Sequence, residues 1–227
     1  LRELAGKLKT AQVLPQVCFT ADKAGQCIAL LQKAGLSERR LIVRSSAKNE
    51  DTTHSSNAGK FLSIADVCGE EEVLRAVKQV VEAMGPDPEN QVFIQPFLTQ
   101  VELCGVAFTA DPNTGGNYYI LNYDASTGST SSVTDGTGEH LETFYHFKAS
   151  PCPPPEPLQR IIVLCRELES LFENPALDIE FAISKGELYL LQVRPLVLRC
   201  PLKDLEQQAC ALRQIQGKLC RSMQPHP

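Results

Sequence analysis

The stretch Asp178-Ile179-Glu180-Phe181-Ala182-Ile183-Ser184-Lys185-Gly186-Glu187-Leu188-Tyr189-Leu190-Leu191-Gln192-Val193-Arg194-Pro195 decides how the chain reads. Polar and apolar residues alternate before Ser184-Lys185-Gly186, and the same habit resumes after it, as in a hairpin with one buried face. A three-residue loop with Gly186 in the left-handed position fits this spacing and sets Ile183 opposite Glu187. Asp178 then falls opposite Gln192, and Glu180 opposite Leu190. One face would carry Asp178, Glu180, Ala182, Leu190, Gln192 and Arg194. The other, with Ile179, Phe181, Ile183, Tyr189, Leu191 and Val193, is apolar and packs on a core. A two-residue loop would instead put Gln192 and Arg194 on the face opposite Glu180. Hard oxygen donors at this density suit Mg²⁺, which usually shares its shell with substrate phosphates, and a guanidinium beside them can fork onto a phosphate. Plain solvation is the commonest fate of a polar strand face, so spacing alone leaves both readings open.

Working outward, the pattern predicts short helices over 1–9 and 23–34 and a strand from Arg40 to Arg44. A polar stretch follows from Ser45 to Gly59, then a strand from Phe61 to Ile64. Residues 70–84 read as a helix with Val73, Val77, Val80 and Val81 as its core stripe and Glu70 to Glu72 at its positive end. Gly85-Pro86-Asp87-Pro88 ends it and marks a boundary. Strand-like runs follow at 92–97, 103–109, 118–122 and 143–147, with a Ser/Thr/Gly loop at 126–138 between the last two. Residues 158–172 form a helix with Ile161, Leu164, Cys165, Leu168 and Phe172 as its buried face. Residues 202–220 form a last amphipathic helix. The order is α+β with mostly antiparallel strands rather than a βαβ series.

The chain has 227 residues, a hydrophobic content of 43% and a formal charge of −5, which suits one large or two small folded domains. Residues 1–50 hold nine Lys/Arg against four Asp/Glu, and residues 51–140 hold three against thirteen. A basic first segment can face an anion such as phosphate, or it is scatter on solvated faces. The pI near 5.5 and the absence of Trp argue against nucleic acid. No apolar run reaches the roughly 18 residues of a membrane span. Nine cysteines without a Cys-x-x-Cys pair argue against zinc and for a reducing, cytoplasmic setting.

The hairpin blocks Asp178-Ile179-Glu180-Phe181-Ala182 and Leu191-Gln192-Val193-Arg194-Pro195 resemble the closing motif of the ATP-grasp nucleotide-binding domain of phosphoenolpyruvate synthase and pyruvate phosphate dikinase. Three further blocks match in order. Val43-Arg44-Ser45-Ser46-Ala47, with Glu50-Asp51 and Ala58-Gly59, is similar to the family's phosphate-side segment. Val92 to Phe97 is similar to its adenine-side strand. Gly105-Val106-Ala107-Phe108-Thr109 with Asp111-Pro112 is similar to its strand-turn block.

The resemblance implies a two-lobed ATP-grasp fold with lobes over 1–90 and 91–199, and a helix and linker over 200–227. It implies ATP and Mg²⁺ as cofactors. Glu180 and Gln192 would hold the metal, with Asp178 close behind; Arg194 would bind the γ-phosphate and Arg44 the phosphates from the other lobe. Gln95, Pro96 and Phe97 would meet the adenine. It further implies a piece of a longer enzyme, inactive or nearly so alone, that passes a phosphoryl group to a histidine on another domain before a separate acceptor domain takes it. None of the four His here sits in a matching motif, so surface or structural roles are expected for them. Two departures bear on the acceptor. The family's Lys upstream of the Pro15 to Thr20 segment would fall before Leu1. Asn122-Tyr123-Asp124-Ala125 and the Ser/Thr/Gly run after it replace the family's Gly-Leu-Gly-Glu and are closer to the L-glutamine kinase-like branch of capsule biosynthesis. That branch, and a non-catalytic nucleotide-binding module, are the alternatives.

Overall fold

The computed structural model describes residues 1, 4–46, 62–85, 87, 89–125 and 141–222. Glu50, Asp51, Ala58 and Gly59 of the phosphate-side block, almost all of the Ser45–Gly59 stretch, the whole Ser126–Gly138 loop, and His54, His140 and His226 lie outside the described residues.

Among the described residues ten strands form two sheets. The strands are β1 (Gln12–Val13), β2 (Val17–Thr20), β3 (Leu41–Ser46), β4 (Ser63–Val67), β5 (Gln91–Pro96), β6 (Val101–Phe108), β7 (Tyr118–Asp124), β8 (Glu142–Phe147), β9 (Leu177–Ser184) and β10 (Glu187–Pro195). The helices are α1 (Cys27–Lys33), α2 (Glu70–Met84), α3 (Leu158–Phe172) and α4 (Leu205–Ser222). The four-stranded sheet runs β2-β5-β3-β4 and the six-stranded sheet runs β1-β10-β9-β6-β7-β8. Every pairing is antiparallel except β1 on β10. The fold is α+β, as the sequence pattern indicates.

Each sheet buries one face under helices. Leu41 and Val43 of β3, with Val92 and Ile94 of β5, pack against Cys27 and Leu31 of α1 and Val73, Ala76, Val77 and Val80 of α2. Each valine so buried contributes roughly 1.5–3 kcal/mol. In the six-stranded sheet Ile179, Phe181 and Ile183 of β9 and Leu188 and Leu190 of β10 pack against Ile161, Ile162, Leu164, Cys165 and Leu168 of α3. Phe172, expected on that buried face, is 46% exposed. It stands in the last turn, ahead of the left-handed cap at Glu173 (φ 49°), and Leu158 and Ile162 fill the core instead.

The N-terminal region differs from expectation. Within the helix expected over 1–9, the described residues 4–7 form a turn, with Gly6 at φ 77°. The segment after it is tied to α3, because the Glu167 carboxylate accepts from the Lys9 and Thr10 amides and the Thr10 hydroxyl. The helix expected over 23–34 opens as a 3₁₀ stretch, Ala21–Gln26, and becomes α-helical only at Cys27; Gly25 is a poor helix former. Gly35 (φ 67°) stops it. Strand β5 corrects the lobe boundary expected at residue 90. It lies between β2 and β3 in the four-stranded sheet, because Val92 and Ile94 are needed in that sheet's core.

Candidate functional site

The hairpin β9–β10 turns through two residues, Lys185 and Gly186, both at positive φ (53° and 76°). This is the loop length that separates Gln192 and Arg194 from Glu180 in a regular ladder. A β-bulge restores the phase. Ser184 pairs with Glu187 and Phe181 with Leu190; Leu191 is then the extra residue, and Glu180 pairs with Gln192 and Asp178 with Arg194. The expected partners, Leu190 for Glu180 and Gln192 for Asp178, are therefore corrected. Leu188 and Leu190 join the α3 core. Leu191 joins the opposite face, with Ala182. A left-handed Lys in a tight turn is unusual for a bulky side chain. Here the Gly186 amide donates to Glu102 Oε1 (2.8 Å) and the Gly186 carbonyl accepts from Arg160 Nη2 (2.9 Å), which fixes the turn.

The face away from α3 meets the four-stranded sheet. In β3, Leu41 and Val43 point into the helix-covered core, so Ile42 and Arg44 take the other face. Arg44 Nη2 reaches across to Glu180 Oε2 at 3.2 Å and to Gln192 Oε1 at 3.5 Å. The side chains of Arg44 and Glu180 are 22% and 18% exposed, so this bridge is half-buried between the sheets. Beside it Arg194 Nε donates to Asp178 Oδ2 at 2.9 Å. Burial raises the Asp178 pKa above its ordinary value; the Arg194 guanidinium opposes that and the Glu180 charge adds to it. Arg44, Asp178, Glu180, Gln192 and Arg194, drawn from three strands of two sheets, thus form one polar cluster.

The donor set fits one hard cation. Glu180 and Gln192 present a carboxylate and an amide oxygen side by side, and a guanidinium, itself a cation with no acceptor, already lies on both. Among the described residues no three His, Cys, Asp or Glu converge as a self-contained metal cage. Two protein oxygens completed by phosphate and water is an arrangement Mg²⁺ accepts.

Gln95 is buried and pairs with Ile42, on the same face of the four-stranded sheet as Arg44. Pro96 is buried too, and the Phe97 amide donates to the Arg40 carbonyl at 2.8 Å. The sequence reading missed an apolar patch beside them. Val101, Cys104 and Ala182, with Leu98 and Leu191 against them, cluster on the Glu180 face of the six-stranded sheet. The one sequence signal was the apolar Leu191 preceding Gln192, and without the bulge it points the wrong way. Also missed is a row across that face: Gln192, Glu180, Val106, Asn122 and Thr143 are successive ladder partners, and the Thr143 hydroxyl donates to Asn122 Oδ1 at 2.8 Å. Of the described histidines, His146 is buried on β8 and stacks on Tyr119 and Phe144, away from the cluster.

The family described as pyruvate phosphate dikinase, AMP/ATP-binding domain matches residues 21–87. Rifampicin phosphotransferase of Bacillus cereus is 32% identical over 214 residues, covering 74% of this chain and 24% of that protein. A probable phosphoenolpyruvate synthase of Methanothermobacter thermautotrophicus is 27% identical over 212 residues, covering 74% of this chain and 31% of that protein. The chain thus spans less than a third of either curated relative. Among solved structures the D-alanine-D-alanine ligase of Helicobacter pylori is similar at a TM-score of 0.47 and 16% identity, covering 90% of this chain and 56% of that one. With its four motif blocks in order, the chain is similar to the pyruvate phosphate dikinase and phosphoenolpyruvate synthase family, through the AMP/ATP-binding domain that matches residues 21–87.

Proposed function

We propose that the cleft between the two sheets binds Mg·ATP and that the chain serves a phosphoenolpyruvate synthase-like phosphotransferase, within which the phosphoryl group passes to a histidine on another domain. The observation that carries this reading is the convergence of Arg44, Glu180, Gln192 and the Asp178–Arg194 pair from both sheets. Phosphoryl transfer needs positioning and charge neutralisation more than covalent chemistry from side chains. Glu180 and Gln192 would hold the metal, which when bound neutralises phosphate charge. Asp178 fixes Arg194 through its Nε, so the guanidinium is oriented toward the γ-phosphate. Arg44 would take phosphate oxygens from the four-stranded side. Gln95, Pro96 and Phe97 would offer backbone and amide groups to an adenine edge, and the Leu98–Leu191 patch would offer it an apolar bed. Nine cysteines, none in a disulfide, suit a reducing compartment, and we place the protein in the cytoplasm; no described helix is long and apolar enough to cross a membrane.

Calorimetric titration with Mg·ATP tests the reading. The chain is expected to bind Mg·ATP, and Glu180→Ala to bind it at least about tenfold more weakly, a loss of about 1.4 kcal/mol. Full affinity in Glu180→Ala sinks the metal assignment. In the longer enzyme, AMP as the product supports transfer of the β-phosphoryl group, and ADP supports a simple kinase.

A further inference from the structure

We propose that Arg44 holds the metal's place in the nucleotide-free chain, so that the site admits a divalent ion together with nucleotide phosphates and excludes it as a bare ion. The inference rests on the nucleotide-binding reading above and adds an order of events to it. Arg44 Nη2 lies on Glu180 Oε2 and Gln192 Oε1, the same two oxygens assigned to the metal. The bridge is half-buried, where it is screened less than a surface ion pair.

The charges around it already balance. Glu180 faces Arg44 and Asp178 faces Arg194, two carboxylates against two guanidiniums. A bare divalent ion would have to push Arg44 off both oxygens and would leave the cluster with two excess positive charges. Polyphosphate changes this balance. It brings negative charge into the cleft and gives the Arg44 guanidinium a stronger, forked acceptor, so Glu180 and Gln192 become free as the phosphates arrive. Because β3 and β9 belong to different sheets, the Arg44 bridge also ties the cleft together until that exchange happens.

Mn²⁺ serves as the probe, with free ion read by electron paramagnetic resonance, using the 227-residue chain with and without a non-hydrolysable ATP analogue. The wild-type chain is expected to bind bare Mn²⁺ weakly and Mn²⁺ with the analogue strongly. Arg44→Ala, and Arg44→Gln as a longer replacement, should bind bare Mn²⁺ at least about tenfold more tightly and the Mn²⁺–analogue complex at least about tenfold more weakly. Glu180→Ala should lose both. If both Arg44 variants keep the wild-type affinity for bare Mn²⁺ while the wild type binds the analogue, the Arg44 assignment is overturned and the nucleotide reading stands. If the wild type binds no analogue, the nucleotide reading itself fails.

Discussion

Gly105 on β6 tests how tightly the floor of the cleft is built. It sits between Phe181 of β9 and Tyr123 of β7. A Cβ there would lie 2.9 Å from Phe181 Cζ and 2.9 Å from Tyr123 Cα, and closer still to the Asn122 carbonyl oxygen. The ring contact falls about half an ångström short of ordinary van der Waals distance. Two of the three obstacles are backbone atoms of a hydrogen-bonded neighbour strand, and Phe181 is fully buried. Gly105→Ala should therefore cost about 1–3 kcal/mol of stability, as overpacked cores do, which lowers Tm by roughly 2–12 °C in a domain of this size. Thermal unfolding and urea titration measure it. Phe181→Leu in the same background relieves only the ring contact, so the coupling energy of the double mutant should stay near about 0.5 kcal/mol. A Gly105→Ala chain that melts within about 1 °C of wild type, or one fully restored by Phe181→Leu, would refute the account of a backbone-limited gap.

Burial, reinforced by the Arg166 charge, lowers the His146 pKa. Its share of stability should be complete above about pH 6.5 and decline as pH falls toward the folded value, with a slope of at most about 1.4 kcal/mol per unit; a pH series of melting curves should show that slope and lose it in His146→Phe. A thiol reagent should modify Cys68, Cys152, Cys200, Cys210 and Cys220 rapidly and leave buried Cys27, Cys104 and Cys165 unmodified until unfolding, because burial also raises the thiol pKa of Cys27 and Cys165; early labelling of Cys165, counted by mass spectrometry, would contradict the α3 packing. Gly115 (φ 66°) lies against the Pro201 carbonyl carbon, where a Cβ would come to 2.8 Å. Gly115→Ala should therefore displace the linker whose Lys203 and Arg199 amides donate to Gly115 and Pro112, seen as faster trypsin cleavage after those two residues; an unchanged digestion rate would argue against the clamp.

Much of the core was legible because one period dominates each element. The α2 stripe Val73-Val77-Val80 and the 158–172 helix follow from 3.6-residue spacing, and both were placed to the residue. The polar residues that share the hairpin face were legible as a group, although not in their register. Lys185-Gly186 lacks the Asn-Gly or Asp-Gly signature of a two-residue turn, and the bulge at Leu191 has no local signature in Leu190-Leu191-Gln192. Two opposing irregularities, one in the turn and one in the strand, leave Glu180 and Gln192 on one face, so the right grouping came from the wrong pairing. The Arg44 contact was beyond pattern reading altogether, since it joins residues of different sheets. Strands β1 and β2 were missed because two and four residues flanking Pro15 are too short to show alternation.

The parallel pairing of β1 on β10 sets an order on how the chain is completed during synthesis. All four strands of the β2-β5-β3-β4 sheet exist once Pro96 has emerged from the ribosome, so that half can collapse early on local partners. Gln12 and Val13 emerge before any of them, yet their partners are Tyr189 and Leu190. Strand β1 is thus translated early and paired late, and until then the Lys9–Thr10 segment that Glu167 will capture is open to proteases and chaperones. A long loop must close late to bring β1 onto β10, which is the slow kind of contact. The segment from Lys9 to Val13 is therefore the part of this chain whose protection reports that the six-stranded sheet has closed.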